Sequence, residues 1–289
     1  MKTIAILYPG DMGSALAKIF QLHSFKCVSC LAQRSARTKK LAENAGVIEV
    51  PESELAHVDA VLSILHPNKA FETAERLSKV MRRGFYIDAN AVSPQTTNKM
   101  ANMFNQPSGA TFIDAGIIGG PPQLVDGEYT RPTFVISGQV DKLLQDIPDF
   151  GKAMKLRRVG DEIGNASALK MSYASMTKGA YALGLQSFTS AASHHVLEDL
   201  RELLSSSAPH YAKFIEGGIV GCAPKAGRWV GEMEEIAETF GEDLFTPDVY
   251  NGIAQVYQTV HNSVLGQETP EHRVRGKTVE DVIAGLHER

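Results

Sequence analysis

The chain has 289 residues, 43% hydrophobic, 21% charged and 7% aromatic, with a formal net charge of -4. At about 150 residues per domain this length predicts two domains, and the composition excludes a disordered chain, a collagen and a coiled-coil rod. The slightly acidic balance carries no footprint for nucleic acid, and no apolar run approaches the roughly 18 residues of a membrane span, so neither is an expected partner.

The predicted elements alternate from the start. Thr3 to Leu7 is a continuous apolar run, as suits a strand buried on both faces. The run stops at Pro9-Gly10-Asp11, too soon for a signal peptide. Met12 to His23 is a helix with Met12, Leu16, Ile19 and Phe20 at helical spacing. Cys27 to Leu31 is the second strand. Cys27 and Cys30 have CxxC spacing, but on a strand they point to opposite faces and read as small buried residues, not as a metal pair. Three cysteines in a chain of this length suit a reducing compartment, and the expected location is cytoplasmic.

Ser35 caps a helix through Glu43 that ends at Gly46. Val58 to Leu65 is a strand, Lys69 to Met81 a helix stopped by Gly84, and Phe85 to Asp88 the next strand. Pro94 opens a helix, Thr111 to Asp114 and Pro132 to Ser137 are strands, and a helix starts near Asp141. This rhythm predicts an α/β fold of Rossmann type, a doubly wound parallel sheet.

The character changes near Gly164. Asn165 to Ser193 is one long helix, or two in line, without proline and rich in small residues. Helices over 195–205, 209–216, 227–240 and 247–264 follow, then a polar tail with His272, Arg273 and Arg275, and a short helix from Thr278. The expected division is a nucleotide-binding domain over 1–163 and an all-helical substrate and dimerisation domain over 164–289.

The chemistry starts at Tyr8-Pro9-Gly10-Asp11-Met12-Gly13, between the first strand and the first helix. A dinucleotide turn reads Gly-x-Gly-x-x-Gly there. Its second and third glycines are Gly10 and Gly13; the first is Tyr8. Gly10 is the position that lets backbone N–H groups and the helix terminus meet a pyrophosphate. The second strand ends in Gln33-Arg34-Ser35-Ala36-Arg37, without the carboxylate that NAD binders place on the ribose. Arg34, Ser35 and Arg37 suit a 2′-phosphate, which selects NADP (NADPH) over NAD. The alternative is a solvated basic helix face with Lys39 and Lys40.

Four segments resemble one family in order. They are the turn at 8–13, Asp88-Ala89-Asn90-Ala91-Val92-Ser93-Pro94, Asp114-Ala115-Gly116-Ile117-Ile118-Gly119-Gly120, and Gly164-Asn165-Ala166-Ser167-Ala168-Leu169-Lys170. They resemble the nucleotide, loop, substrate and catalytic-helix motifs of the β-hydroxyacid dehydrogenases, related to 6-phosphogluconate dehydrogenase. The stretch Arg228-Trp229-Val230-Gly231-Glu232 resembles a little-characterised C-terminal domain of a divergent branch.

The resemblance implies hydride transfer between a nicotinamide and a hydroxy or keto substrate, in a cleft between two domains, with Lys170 as general acid/base. It implies homodimers through the helical domain. The candidate cofactor residues are Gly10, Asp11, Met12, Gly13, Arg34, Ser35, Arg37, Leu65 and Asn90, and the candidate substrate residues are Gly119, Gly120, Tyr173, Thr177 and Trp229, with core packing the alternative for Trp229. On a helix, Tyr173 and Thr177 share the face of Lys170. His272, Arg273 and Arg275 either reach a substrate anion across the dimer or form a solvated basic tail.

The departures are as specific as the matches. Ile118 replaces a serine, Tyr173 and Ala174 replace an asparagine pair, and Asn90 replaces a serine or threonine. They point to a more apolar pocket and away from 3-hydroxyisobutyrate, tartronate semialdehyde and 6-phosphogluconate. A lysine–aspartate pair of better-known members is missing near Arg228, unless Glu232 stands in for the aspartate. Imine reduction and a catalytically inactive, NADP-binding regulatory protein are the alternative functions. Retention of Lys170 opposes both.

Overall fold

The computed structural model describes residues 1–105, 109–241, 244–269 and 273–288. They form two compact units, Met1–Met171 and Ser172–Arg289. In the first unit, strands β1 (Thr3–Leu7), β2 (Lys26–Ser29), β3 (Ile48–Glu49), β4 (Ala60–Ser63), β5 (Phe85–Asp88) and β6 (Thr111–Ile118) form the larger part of one sheet. A small hairpin of β7 (Leu124–Val125) and β8 (Glu128–Tyr129) follows, and then β9 (Thr133–Gly138) and β10 (Lys155–Arg158) return to the sheet. The order is β10-β9-β6-β5-β4-β1-β2-β3. Strand order reverses between β1 and β4, the place where open α/β sheets bind ligands beyond their carboxyl ends.

Helices α1 (Asp11–Leu22), α2 (Ala36–Asn44), α3 (Pro67–Val80), α4 (Pro94–Asn102), α5 (Val140–Asp146) and α6 (Pro148–Ala153) accompany the sheet. Alternating strand residues explain its two cores. Ile4, Ile6, Leu62, Ile87 and Ile113 face Leu16 and Phe20 of α1 and Phe150 of α6. Ala5, Leu7, Val61, Tyr86 and Phe112 face Ala70, Ala74 and Leu77 of α3 and Met100 of α4. Burial on both faces is why these strands read as unbroken apolar runs.

β9 departs from the parallel rule: it pairs antiparallel with β6, from Ile113 opposite Gly138 to Ile118 opposite Thr133. The intervening segment holds only the β7–β8 hairpin and no crossover helix, and a parallel return needs a crossover. The pairing also carries β6 past Asp114 to Ile118, so most of the segment resembling a substrate motif is strand.

Helix α7 (Asn165–Ser193) is continuous. After it come α8 (Leu197–Ser207), α9 (Pro209–Cys222), α10 (Ala226–Gly241), α11 (Asp248–Asn262) and α12 (Val279–His287), with no strand among the described residues of this part. Trp229, Met233 and Ile236 of α10 and Ile253, Tyr257 and Val260 of α11 are buried. Helix α8 has no buried residue. Arg273 donates to the carbonyls of Val220 and Gly276, and the Glu268 carboxylate accepts from the backbone N–H groups of Val274 and Arg275. The tail arginines therefore fasten the tail to its own unit; His272 lies outside the described residues.

Candidate cofactor and proton-transfer site

The turn after β1 is built as a phosphate cradle. Gly10 N–H donates to the Tyr8 carbonyl at 2.8 Å, which closes the turn. A Cβ on Gly10 would stand in open space. Gly10 precedes α1 without a side-chain cap, so the helix meets solvent with its first N–H groups uncapped by a side chain. Gly13 has the packing role: a Cβ there would lie 2.9 Å from the Tyr8 carbonyl oxygen and 3.0 Å from Ile6 Cγ2. Asp11 and Met12 occupy the first turn of α1, with Asp11 exposed. This arrangement fits the pyrophosphate of a dinucleotide.

The β2–α2 turn lies across from it. Ser35 caps α2, its Oγ accepting from Thr38 N–H at 3.2 Å. Arg37 Nη2 stands 2.6 Å from Asp11 Oδ1. The Arg34 guanidinium sits 4.1 Å over the centroid of the Tyr8 ring. All of Asp11, Arg34, Ser35 and Arg37 therefore gather at the two turns.

Leu65 and Asn90 are also brought together. The Asn90 side-chain oxygen accepts from Leu65 N–H, and its nitrogen donates to Ser63 Oγ at 3.0 Å and to Asp88. Asn90 is buried and stitches the ends of β4 and β5. Ile64 N–H donates to the Leu7 carbonyl, so this edge adjoins the phosphate turn.

Lys170 is half-buried, and its Nζ donates to the Ile117 carbonyl at 2.6 Å. The approach depends on Gly116, where a Cβ would lie 2.9 Å from Lys170 Cβ and 3.0 Å from Val135 Cγ2. The start of α7 is fixed by Asp114. Its carboxylate accepts from the backbone N–H groups of Gly164 (2.9 Å), Ala166 (3.0 Å) and Ser167 (3.2 Å), and from the hydroxyls of Ser167 (2.6 Å) and Ser137 (2.9 Å). Thr97 and Ser167 share a further hydroxyl contact of 2.8 Å. A strand carboxylate thus supplies the cap for the helix that carries Lys170. Burial pushes the Asp114 carboxyl above the ordinary range, against the pull of these hydrogen bonds.

Sequence reasoning placed Asp114 in a motif and missed this work, along with Ser137, Ser167, Thr97 and Gly116. A charged residue inside the apolar run Phe112-Ile113-Asp114-Ala115 was the available signal.

Gly119 and Gly120 follow β6. Gly119 has φ +124°, which favours glycine, and a Cβ on Gly120 would meet nothing within 4 Å. In the helical unit, Tyr173 is exposed, and the Thr177 hydroxyl bonds back to its own helix at the Tyr173 carbonyl, 3.1 Å away. Trp229 is a core residue, edge-on to Tyr257 at 5.1 Å and under Lys178 Nζ at 5.0 Å. Glu232 has a lysine partner after all: it is buried against Lys178 and stands 3.1 Å from Arg228 Nε. The sequence reading had not singled out Lys178.

Comparison with known proteins adds domain-level identities. Residues 3–144 match the NAD binding domain of 6-phosphogluconate dehydrogenase, and residues 191–260 match a domain of unknown function, DUF1932. An uncharacterised 28.5 kDa protein of Methanothermus fervidus is 26% identical over 230 residues, covering 78% of this chain and 86% of that protein. Among solved structures, a conserved protein of unknown function, reported as similar to 3-hydroxyacid dehydrogenases, matches with TM-score 0.66 and 24% identity over 90% of this chain and 97% of that one. The 3-hydroxyisobutyrate dehydrogenase of Mycobacterium tuberculosis matches with TM-score 0.68 and 16% identity, over 99% and 98% of the two chains. An imine reductase variant from Myxococcus stipitatus matches with TM-score 0.58 and 16% identity over 99% of each. At these identities the solved structures share the fold.

Proposed function

We propose that this chain, which matches an NAD binding domain of 6-phosphogluconate dehydrogenase over 3–144 and a DUF1932 domain over 191–260, is a divergent β-hydroxyacid dehydrogenase: an NADP-dependent oxidoreductase acting on a hydroxy or keto substrate, with Lys170 as the general acid/base. The observation that carries the reading is the placement of Lys170. It is half-buried, admitted close to the strand by the bare backbone of Gly116 and directed at its tip by the Ile117 carbonyl, on a helix capped from the sheet by Asp114.

The bound nicotinamide supplies or accepts the hydride. Gly10 and the uncapped start of α1 receive its pyrophosphate, with Met12 and Gly13 shaping the turn. Arg34 and Ser35 meet the 2′-phosphate. Lys170 gives a proton to the substrate oxygen when a carbonyl is reduced and takes it back when an alcohol is oxidised. Gly119 and Gly120 present backbone to the substrate where a side chain would intrude.

Titration with NADPH and NADH, followed by nicotinamide fluorescence, tests the cofactor half. NADPH is expected to bind more tightly; equal binding of both would remove the 2′-phosphate assignment. A panel of ketones, hydroxy acids and cyclic imines with NADPH then tests the chemistry. Lys170→Ala is expected to bind NADPH normally and to lose about two to four orders of magnitude in kcat. Full turnover by that variant would overturn the role of Lys170, and turnover of imines alone would move the protein to imine reduction. Binding of neither nucleotide would leave the regulatory reading in its place.

A further inference from the structure

Tyr8 stands where a dinucleotide turn has its first glycine, and the structure gives it a specific occupation. Its ring lies beneath the Arg34 guanidinium, 4.1 Å from the centroid. Three residues on, Asp11 takes the other arginine of the facing turn, with Arg37 Nη2 at 2.6 Å. The phosphate turn therefore handles both arginines, one by stacking and one by charge. We propose that Tyr8 is a positioning residue for NADP selectivity: its ring holds the Arg34 guanidinium in place for the 2′-phosphate, while Asp11 engages Arg37. The inference rests on the NADP reading above and names the residue that enforces it.

The two contacts differ in what they leave for a ligand. A guanidinium centred over an aromatic ring is attracted to it without giving its N–H donors to an acceptor oxygen, so they stay available to phosphate oxygens. Arg37 gives one donor to the Asp11 carboxylate, which draws its charge toward that partner. Among the described residues no carboxylate pairs with Arg34, so its charge awaits an anion, whereas that of Arg37 is balanced by Asp11. A 2′-phosphate satisfies Arg34; a 2′-hydroxyl brings no charge to it.

The platform is itself fixed. Tyr8 is half-buried against the apolar cluster that holds Leu7, Val28 and Leu55. Its carbonyl is held by Gly10 N–H at 2.8 Å and would touch any side chain at Gly13. On the facing turn, Arg34 N–H donates to the Leu31 carbonyl at 2.9 Å, which sets the direction in which Arg34 leaves the backbone. Arg34 is thus ordered before ligand arrives, and the entropy of ordering a long side chain is not charged to binding. Glycine, the fingerprint residue at this position, has no ring to offer.

The test measures dissociation constants for NADPH, NADH, 2′,5′-ADP and 5′-AMP with the wild type, Tyr8→Phe, Tyr8→Leu, Arg34→Ala and the double variant Tyr8→Leu/Arg34→Ala. A thermal melt of each checks folding. Tyr8→Phe keeps the ring and is expected to keep the wild-type NADPH/NADH ratio. Tyr8→Leu keeps apolar volume without the π face and is expected to lower the ratio about fivefold, through weaker NADPH and 2′,5′-ADP binding alone. Arg34→Ala is expected to lower it about thirtyfold. The double variant should be no less selective than Arg34→Ala, because Tyr8 acts through Arg34.

Equal weakening of NADPH and NADH by Tyr8→Leu would overturn the proposal and make Tyr8 a part of the pyrophosphate turn only. Independent losses in the double variant would overturn it too. A wild type that shows no NADPH preference would overturn the NADP reading, and this inference with it. A clear wild-type preference that survives Tyr8→Leu would overturn this inference and leave the NADP reading standing.

Discussion

Asp114 gathers three backbone N–H groups and two hydroxyls on one buried carboxylate, and Lys170 lies one turn beyond the Ala166–Ser167 pair that it holds. Asp114→Asn would turn an amide N–H₂ toward groups that donate. The expected cost is about 1–3 kcal/mol of stability, with a fall in kcat and unchanged NADPH affinity, read by denaturant melts and steady-state kinetics. Gly116→Ala is expected to act on the same lysine from its other side, since the added methyl meets Lys170 Cβ at 2.9 Å. Two thiols make a separate statement about pH. Burial pushes Cys27 and Cys222 up to about 12. In the unfolded chain these thiols ionise near their ordinary value of 9.0. Above that the unfolded chain holds fewer protons than the fold, so their contribution to stability is complete below pH 9.0 and is lost as pH rises toward about 12. Melting temperature should fall more gently over this range in Cys27→Ala/Cys222→Ala than in the wild type, even if the double variant starts lower.

At the scale of elements, the turn between β1 and α1 separates two glycines that look alike in sequence. Gly13→Ala pushes a methyl into the Tyr8 carbonyl and Ile6, and is expected to cost about 1–3 kcal/mol and to weaken dinucleotide binding. Gly10→Ala meets open space, and is expected to melt within a few degrees of the wild type while losing NADPH affinity. Much of the first unit was legible because local signals agreed. Ser35 does cap α2, Phe85–Asp88 is β5 to the residue, and Pro94 does open α4. The antiparallel β9 was not legible, since a six-residue strand around Phe134-Val135-Ile136 carries no mark of its direction. The site divided in the same way. Gly10, Gly13 and Lys170 sit in local patterns, but the bonds from Asp114 to Ser137 and Ser167 span 23 and 53 residues, and no spacing rule reaches that far. Trp229 stood out as the chain's single tryptophan, and the structure places it in a core.

For the whole molecule, the outer helices of the second unit pose the question of assembly. Helix α8 buries none of its residues, and Leu203 on it is 67% exposed. Met176 and Leu183 of α7 and Tyr211 and Phe214 of α9 are also exposed. We propose that a second copy of the chain covers such apolar side chains. Light scattering on the wild type should give twice the mass of 31.4 kDa, and Leu203→Glu/Met176→Glu should shift it toward the single chain. No helix among the described residues is long and apolar enough to cross a membrane.

Strand β6 has one further consequence. Its second half is locked residue by residue against β9, with Ala115 opposite Ile136 and Ile117 opposite Phe134. The carbonyl that directs Lys170 therefore belongs to a paired strand and not to a loop. The amides of this half that bond to β9 should exchange slowly, and should not slow further when NADPH binds. Under the proposed function Lys170 would then stay in place through turnover, and selectivity on this side would come from shape that exists before the substrate arrives.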